Sequence, residues 1–486
     1  MISFGFAKEV RAMPKIYINI GCLLDVPTAS FITGAKGETV FNGGLGQIVG
    51  VVGAGNNFKS TLIHYMMLSA ANKIKASTKT ALLTYDTEMN ISFNRLEDFL
   101  TNFKYLDKDG ILGTGEWTIV DKSKTPANEF GDNLFEYMDN KVKDTKDYIT
   151  LECFIDPYSK QPMKIPVPTF VEIDSFTEFE AASVTDMLSG DLDNKDTNTY
   201  AMKQGNFKTK FLSQLPARCT SSSTYLLVTA HTGDKVEMGQ PWETPSKKLQ
   251  HLKTGDAIKS VGSKFSFLTN TAFQAHTGSA FYNQGTKAPE YPKDPNDVMK
   301  ADLNKVTLTF LRNKTGPSGV NIDVLISQVE GVLPTLTEFH FLRQNKVSSA
   351  DIGYGISGSS KSYSMDLYPN ESLSRTTVRS KIDNNPRLAR AINITAEMLQ
   401  LSLFHPAFVS SDIWCTPKEL YEDIKKLGYD WDKLLDTRGY WVPDQYKNEI
   451  KYLNTIDLLK MRKGLYHPWW YDKKSLKDGL NETKTK

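Results

Sequence analysis

A chain of 486 residues is too long for one small core, which predicts one large domain plus an appendage. Apolar content of 40% and charged content of 23% describe an ordinary globular protein, and a net charge of +2, from 58 basic and 56 acidic residues, neither demands nor excludes nucleic acid. Any DNA-binding face must therefore be local. The four scattered cysteines (Cys22, Cys153, Cys219, Cys415) form no CxxC pair, which argues against structural zinc and a disulfide framework. No apolar run approaches the ~20 residues that span a bilayer, and MISFGFAKEV lacks a signal-peptide core. A cytoplasmic location without membrane contact is expected.

Residues 1–45 read as a short mixed lead. GQIVGVVG (46–53) is a β-branched run bounded by glycine and predicts a buried strand, and TLIHYMMLSAANKIKAS continues at helical spacing. TALLTYD (80–86) predicts a second buried strand, and NISFNRLEDFL another helix. Strand, glycine loop, helix and strand make a βαβ unit, the signature of a parallel sheet covered on both faces. ITLECFIDPYSKQPMKIPVPTF predicts an inserted hairpin at 149–166 turning at Asp-Pro-Tyr. VPTFVEIDSF then gives a core strand ending in Asp174–Ser175, and a helix is expected at about 199–215. TYLLVTAH (224–231) is another strand with a polar end. KFSFLTNTAFQAH and KVTLTFLRNK supply further strands, and the core is expected to close near residue 343. The glycine- and serine-rich VSSADIGYGISGSSKSYSMD reads as a linker or exposed hairpin, followed by a mainly helical region to residue 486 with Pro417 in a helix's first turn.

The loop GAGNNFKST, residues 53–61, decides the chemistry. It matches G-x-x-x-x-G-K-[ST] except that Phe58 stands at the second glycine. Such a loop cradles phosphate with successive backbone N–H groups and a helix N-terminus, so Gly53, Ala54, Gly55, Asn56, Asn57, Phe58, Lys59, Ser60 and Thr61 are the candidate nucleotide-binding residues. Lys59 would reach the β- and γ-phosphates, and the Ser60 hydroxyl would bind Mg²⁺. Phe58 is accommodated if its ring points away from the phosphates. The string alone also arises by chance, but here it lies between a buried strand and a helix. Two later strand ends carry the other groups a nucleotide hydrolase needs. Asp174 would hold the metal, and Glu88 in TYDTE would activate the attacking water.

That order of elements resembles the RecA-fold ATPases, and within them the bacteriophage UvsX-type recombinases, which also carry Phe before the loop lysine. DVPTASFITGAKGETVFNGGL, YDTEMNIS and TAHTGDK are similar to stretches of that family. The resemblance covers roughly residues 20–343, with a weaker echo at 384–404. It implies an α/β fold with a RecA-like, mostly parallel sheet, ATP and Mg²⁺ as ligands, and DNA-dependent ATP hydrolysis. His231 would couple the γ-phosphate to a mobile DNA-binding loop. Arg312 and Lys314 in FLRNKTG would stabilise transition-state charge in a neighbouring subunit's site. The same FLRNKTGPSG stretch resembles the DnaB-type helicases, which keeps a hexameric ring helicase open. Only about 45 residues precede the ATPase core, however, which leaves no room for the N-terminal domain of those helicases. A DNA-binding protein using ATP only as an assembly switch is a further alternative.

The acidic stretch 176–200 would repel phosphates. Residues 232–264 are the better DNA ligand, with six lysines against four acids. Lys235, Lys247, Lys248, Lys253 and Lys259 would neutralise phosphates and Trp242 would stack on a base. The expected partners are single-stranded DNA, further copies of the chain as a filament or a ring, and a recombination mediator or single-strand-binding protein.

Overall fold

A computed structural model describes residues 14–106, 108–180, 194–232, 258, 265–294, 301–346 and 351–472. A small hairpin comes first, β1 (Ser30–Thr33) with β2 (Thr39–Asn42). The β-branched run that follows is β3 (Ile48–Gly53), buried along its whole length. It leads through the glycine loop into helix α1 (Lys59–Lys75). The chain continues through β4 (Ala81–Asp86), helix α2 (Phe93–Leu100) and β5 (Trp117–Asp121). The hairpin of β6 (Tyr148–Ile155) and β7 (Pro162–Pro166) precedes β8 (Thr169–Asp174), and a long helix, Asn194–Ser222, leads to β9 (Thr224–His231). Then come β10 (Thr271–Ala275), β11 (Ser279–Ala280), β12 (Leu303–Asn313), β13 (Asn321–Ser327) and β14 (Gly331–Val332).

Ten of these strands form one sheet in the order β14-β13-β12-β10-β3-β9-β8-β4-β5, with β11 on β12. From β10 to β5 every pairing is parallel, and β12, β13 and β14 extend the edge antiparallel. The expected α/β fold with a mostly parallel sheet is therefore present. Parallel strands covered on both faces are buried along their length, as β3, β8 and nearly all of β9 are, with mainly apolar residues. Helix α1 is buried nearly all round, because the sheet covers one side and the N-terminal segment the other. There Tyr65 Oη and Ser69 Oγ both donate to the Ile20 carbonyl, at 2.7 and 2.8 Å.

The first and last described segments are packed into the same body. Ile16, Ile18, Ile20 and Leu24 join one apolar cluster with α1 and with Leu388 and Ile392 of the helix Pro386–Phe404. Gln400 donates to the Leu23 carbonyl, and Thr39 N donates to Asp457. The inserted hairpin is clasped by the C-terminal region as well. Glu152 N donates to the Pro443 carbonyl, and Phe154 meets Trp441 edge-on at 4.9 Å. Residues 356–373, read in part as a linker or exposed hairpin, instead form a three-stranded sheet with Ile356, Tyr363 and Met365 buried. The helix expected at 199–215 runs from Asn194 to Ser222 across Pro216, and FSFL, read as part of a strand, forms a helical turn, Phe265–Leu268, in front of β10. Thr416 caps the helix starting at Pro417, with Glu419 closing a capping box. Among the described residues no helix is long and apolar enough to cross a membrane.

Candidate nucleotide-binding site

Parallel α/β sheets present ligand sites at the carboxyl ends of their strands, and here four strands end together. Gly53 of β3 stands opposite His231 of β9, while Asp174 of β8 stands opposite Asp86 of β4. A cleft of about 670 Å³ opens over these ends, within the range of nucleotide-sized pockets. It is lined by Gly55 to Thr61, Glu88, Asp174 and His231. Lys59, Ser60, Glu88, Asp174 and His231, all read from sequence, are thus brought to one place.

The loop explains its own irregular letter. Phe58 has φ +58° and ψ +21°, the left-handed region, which is the conformation that makes glycine usual there. A non-glycine residue pays about 1–3 kcal/mol for it. Phe58 offsets that cost by packing its half-buried ring against the apolar cluster, an effect of similar size. The ring lies against Gly278, just past β10, where an added Cβ would sit 2.8 Å from Phe58 Cε2. Two more contacts fasten the loop to β10. Asn57 Nδ2 donates to the Ala275 carbonyl at 3.0 Å, and a Cβ on Gly53 would come within 2.6 Å of the same oxygen. Gly55, by contrast, faces open space.

Helix α1 starts at Lys59 with no side chain capping its N-terminus, so its positive dipole end faces the cleft. Lys59 is buried and its ammonium donates to the Ala54 carbonyl at 2.8 Å. Burial pushes its pKa below the ordinary lysine value, against the opposing pull of Asp174 and Glu88. Asp174 accepts hydrogen bonds from Ser60 and Thr229, and burial nevertheless holds its carboxyl above the ordinary range. One carboxylate and one hydroxyl, side by side, fit Mg²⁺, which takes few protein ligands and completes its shell with phosphate and water. Among the described residues no cluster of three or more His, Cys, Asp or Glu side chains offers an all-protein metal cage.

Glu88 follows β4 in a loop held by Asp86. The buried Asp86 carboxylate accepts from the backbone N–H groups of Glu88, Met89, Asn90 and Ile91, at 2.8 to 3.1 Å. The Glu88 side chain meets His231 Nε2 at 3.1 Å and accepts from Asn90 at 3.1 Å. Burial works to raise its pKa, but the His231 hydrogen bond and charge, helped by Lys59, bring it below the ordinary glutamate value. The ends of β4 and β8 are tied to each other: Thr87 N donates to the Asp174 carbonyl, and Ser175 N donates to Thr87 Oγ1.

Sequence reasoning missed several residues. His64, one turn after Ser60, lines the cleft and sits 2.8 Å from the fully buried Glu172 of β8. Burial would lower its pKa, but Glu172 and Asp174 outweigh burial and raise it. Arg95 of α2 and Gln328, just past β13, line the far side, with Arg95 donating to Thr61 Oγ1 at 3.3 Å. Arg95 in FNRLEDFL and Gln328 after an antiparallel strand carry no signal of their own.

Arg312 and Lys314 do not reach this cleft. In β12, antiparallel to the rest, Arg312 pairs with Ala272 at the start of β10, level with Gly50 of β3. It therefore lies toward the amino ends of the parallel strands, away from Gly53 and the phosphate loop. Arg312 Nε donates to the Thr269 carbonyl there, at 3.0 Å. Lys235, Trp242, Lys247, Lys248, Lys253 and Lys259 lie outside the described residues, as does most of the acidic stretch. No family model and no curated protein matches the chain.

Proposed function

We propose that the chain is a RecA-type, DNA-dependent ATPase that polymerises on single-stranded DNA and promotes homologous pairing and strand exchange, in the manner of the phage UvsX-type recombinases. The observation carrying this reading is the convergence of Lys59, Ser60, Glu88, Asp174 and His231 on one cleft at the helix α1 N-terminus. Lys59 and the loop amides hold the triphosphate, and Ser60 and Asp174 would hold Mg²⁺, which would supply neutralisation of charge on the phosphates. Glu88 takes the proton of the attacking water. His231 senses the terminal phosphate through its contact with Glu88 and passes that state to the segment after β9. Head-to-tail assembly brings Arg312 and Lys314 of one copy to the cleft of the next, and ATP binding stabilises the DNA-bound arrangement that hydrolysis releases.

The test is ATP turnover by the purified protein with and without single-stranded DNA, beside a Lys59→Ala control. DNA-stimulated hydrolysis absent from the control is the expected result, and microscopy of the same sample separates an open filament from a hexameric helicase ring. ATP binding without turnover in either condition would replace this reading with an assembly switch.

A further inference from the structure

We infer that Gly278 is a positioning residue for the phosphate loop, acting through Phe58: the aromatic ring and the glycine form a lock that takes over what a loop glycine ordinarily supplies. This rests on the ATPase reading for its enzymatic consequence, but not for its geometry. A glycine at position 58 would let the loop adopt the left-handed turn at no steric cost and would leave it free to adopt others. Phe58 adopts the same turn at φ +58°, and only a contact elsewhere can hold it there.

The seat is closed on two sides. An added Cβ at Gly278 would lie 2.8 Å from Phe58 Cε2 and 3.1 Å from Cδ2, so no other residue fits beneath the ring without moving it. Val306 closes the side, with its Cγ2 3.0 Å from the same Cβ position. The segment carrying Gly278 is itself held on β12 before and after the glycine. His276 N donates to the Thr307 carbonyl at 3.0 Å, and Ser279 pairs with Lys305. Asn57, next in the loop, is tied to Ala275 of the same segment. Two consecutive loop residues are thus referenced to the β10–β12 edge, one by a hydrogen bond and one by a ring. The lock fixes where the Lys59 and Ser60 end of the loop meets the phosphates, and it makes the segment 275–279 a part of the nucleotide site that touches no nucleotide.

The experiment is a compensation cycle. Gly278→Val pushes a branched side chain into the ring seat. It is expected to raise KM for ATP and to weaken binding of a fluorescent ATP analogue about 10-fold or more, with a smaller effect on kcat. Phe58→Gly removes the ring and accepts the left-handed turn, so the double variant Phe58→Gly/Gly278→Val is expected to regain most of the lost affinity. Phe58→Ala, which keeps the strained backbone and loses the anchor, is expected to bind more weakly than Phe58→Gly. Amide exchange across residues 54–60 without nucleotide reads the lock directly: slow in the parent, fast in Phe58→Ala and Gly278→Val, and slower again in the double variant than in Gly278→Val. Unchanged exchange and affinity in Gly278→Val, or a defect that Phe58→Gly does not relieve, overturns the lock. Should Gly278→Val fail to fold, equal behaviour of Phe58→Ala and Phe58→Gly overturns it. A parent that binds no ATP analogue defeats the ATPase reading, while the exchange data still decide the lock.

Discussion

His231 Nε2 lies 3.1 Å from Glu88 Oε1, so the last residue of β9 and the loop after β4 meet across the end of β8. Lowering of the Glu88 pKa by His231 keeps the carboxylate ionised, and ready to accept a proton, below the ordinary glutamate range. His231→Ala is therefore expected to move the acid limb of the kcat/KM profile for ATP upward in pH, since that profile reports the free enzyme. Glu88→Gln is expected to lower kcat by about 10²–10⁴ with nucleotide affinity nearly retained, the usual cost of losing a general base. An acid limb at the same pH in both parent and His231→Ala would mean that the contact does not tune Glu88.

Asp86 sets the place of Glu88 without touching a substrate. Four backbone N–H groups in a row donate to its carboxylate, and charge-assisted bonds of this type are about twice as strong as neutral ones. Asp86→Ala is expected to release the loop and reduce kcat by on the order of 10²-fold, the scale of an ångström-sized misplacement. Amide exchange should quicken at residues 88–91 while the melting temperature falls little. A large global destabilisation with normal exchange at that loop would make Asp86 a core residue only.

The sheet and the five convergent residues were legible because buried parallel strands advertise themselves as β-branched runs, and the polar residue that ends each run falls at the sheet's carboxyl edge. FVEIDS and TYLLVTAH carry that pattern, and GQIVGVVG ends instead in the glycine that opens the phosphate loop. What was not legible depends on strand order. Gly278 and Gln328 approach the cleft only because β10, β12 and β13 extend the sheet beside β3. His64 reads as one more helical position until Glu172, 108 positions away, is placed against it. Residues 356–373 misled through composition: serine and lysine fill the exposed turn at 359–362, while the flanking Ile356, Tyr363 and Met365 are buried.

Because Arg312 and Lys314 lie toward the amino ends of the parallel strands and neither lines the cleft, their proposed use falls on a neighbouring chain's nucleotide. Head-to-tail contact repeats one unlike pair of surfaces at every step, so each cleft would borrow a neighbour's arginine. Lys59→Ala and Arg312→Ala are each expected to abolish most turnover, an arginine finger alone being worth about 10³–10⁵ in kcat. Mixing the two inactive variants should restore a measurable fraction of activity, since some junctions then pair an intact loop with an intact Arg312. A mixture as inactive as its parts would exclude this use of Arg312.

Glu338 makes the folded body sensitive to alkaline pH. It sits fully buried on the helix Pro334–Gln344, accepting from Asn393 at 3.2 Å. Glu397, Arg390, Asp25 and Lys73 share its surroundings. Burial first, then repulsion from Glu397 and Asp25, raises its pKa to about 8, against the lowering effect of Asn393 and Arg390. Between the ordinary glutamate value and about 8 the folded chain keeps a proton that the unfolded chain has released. Stability therefore declines with rising pH across that window, by up to about 1.4 kcal/mol per pH unit for one proton. Urea midpoints should fall from pH 6 to pH 8 in the parent. Glu338→Gln, which carries no titrating proton, should flatten that decline and exceed the parent above pH 8. Equal slopes in the two proteins would place the proton elsewhere, on Glu397 or Asp25, whose carboxyls burial also raises.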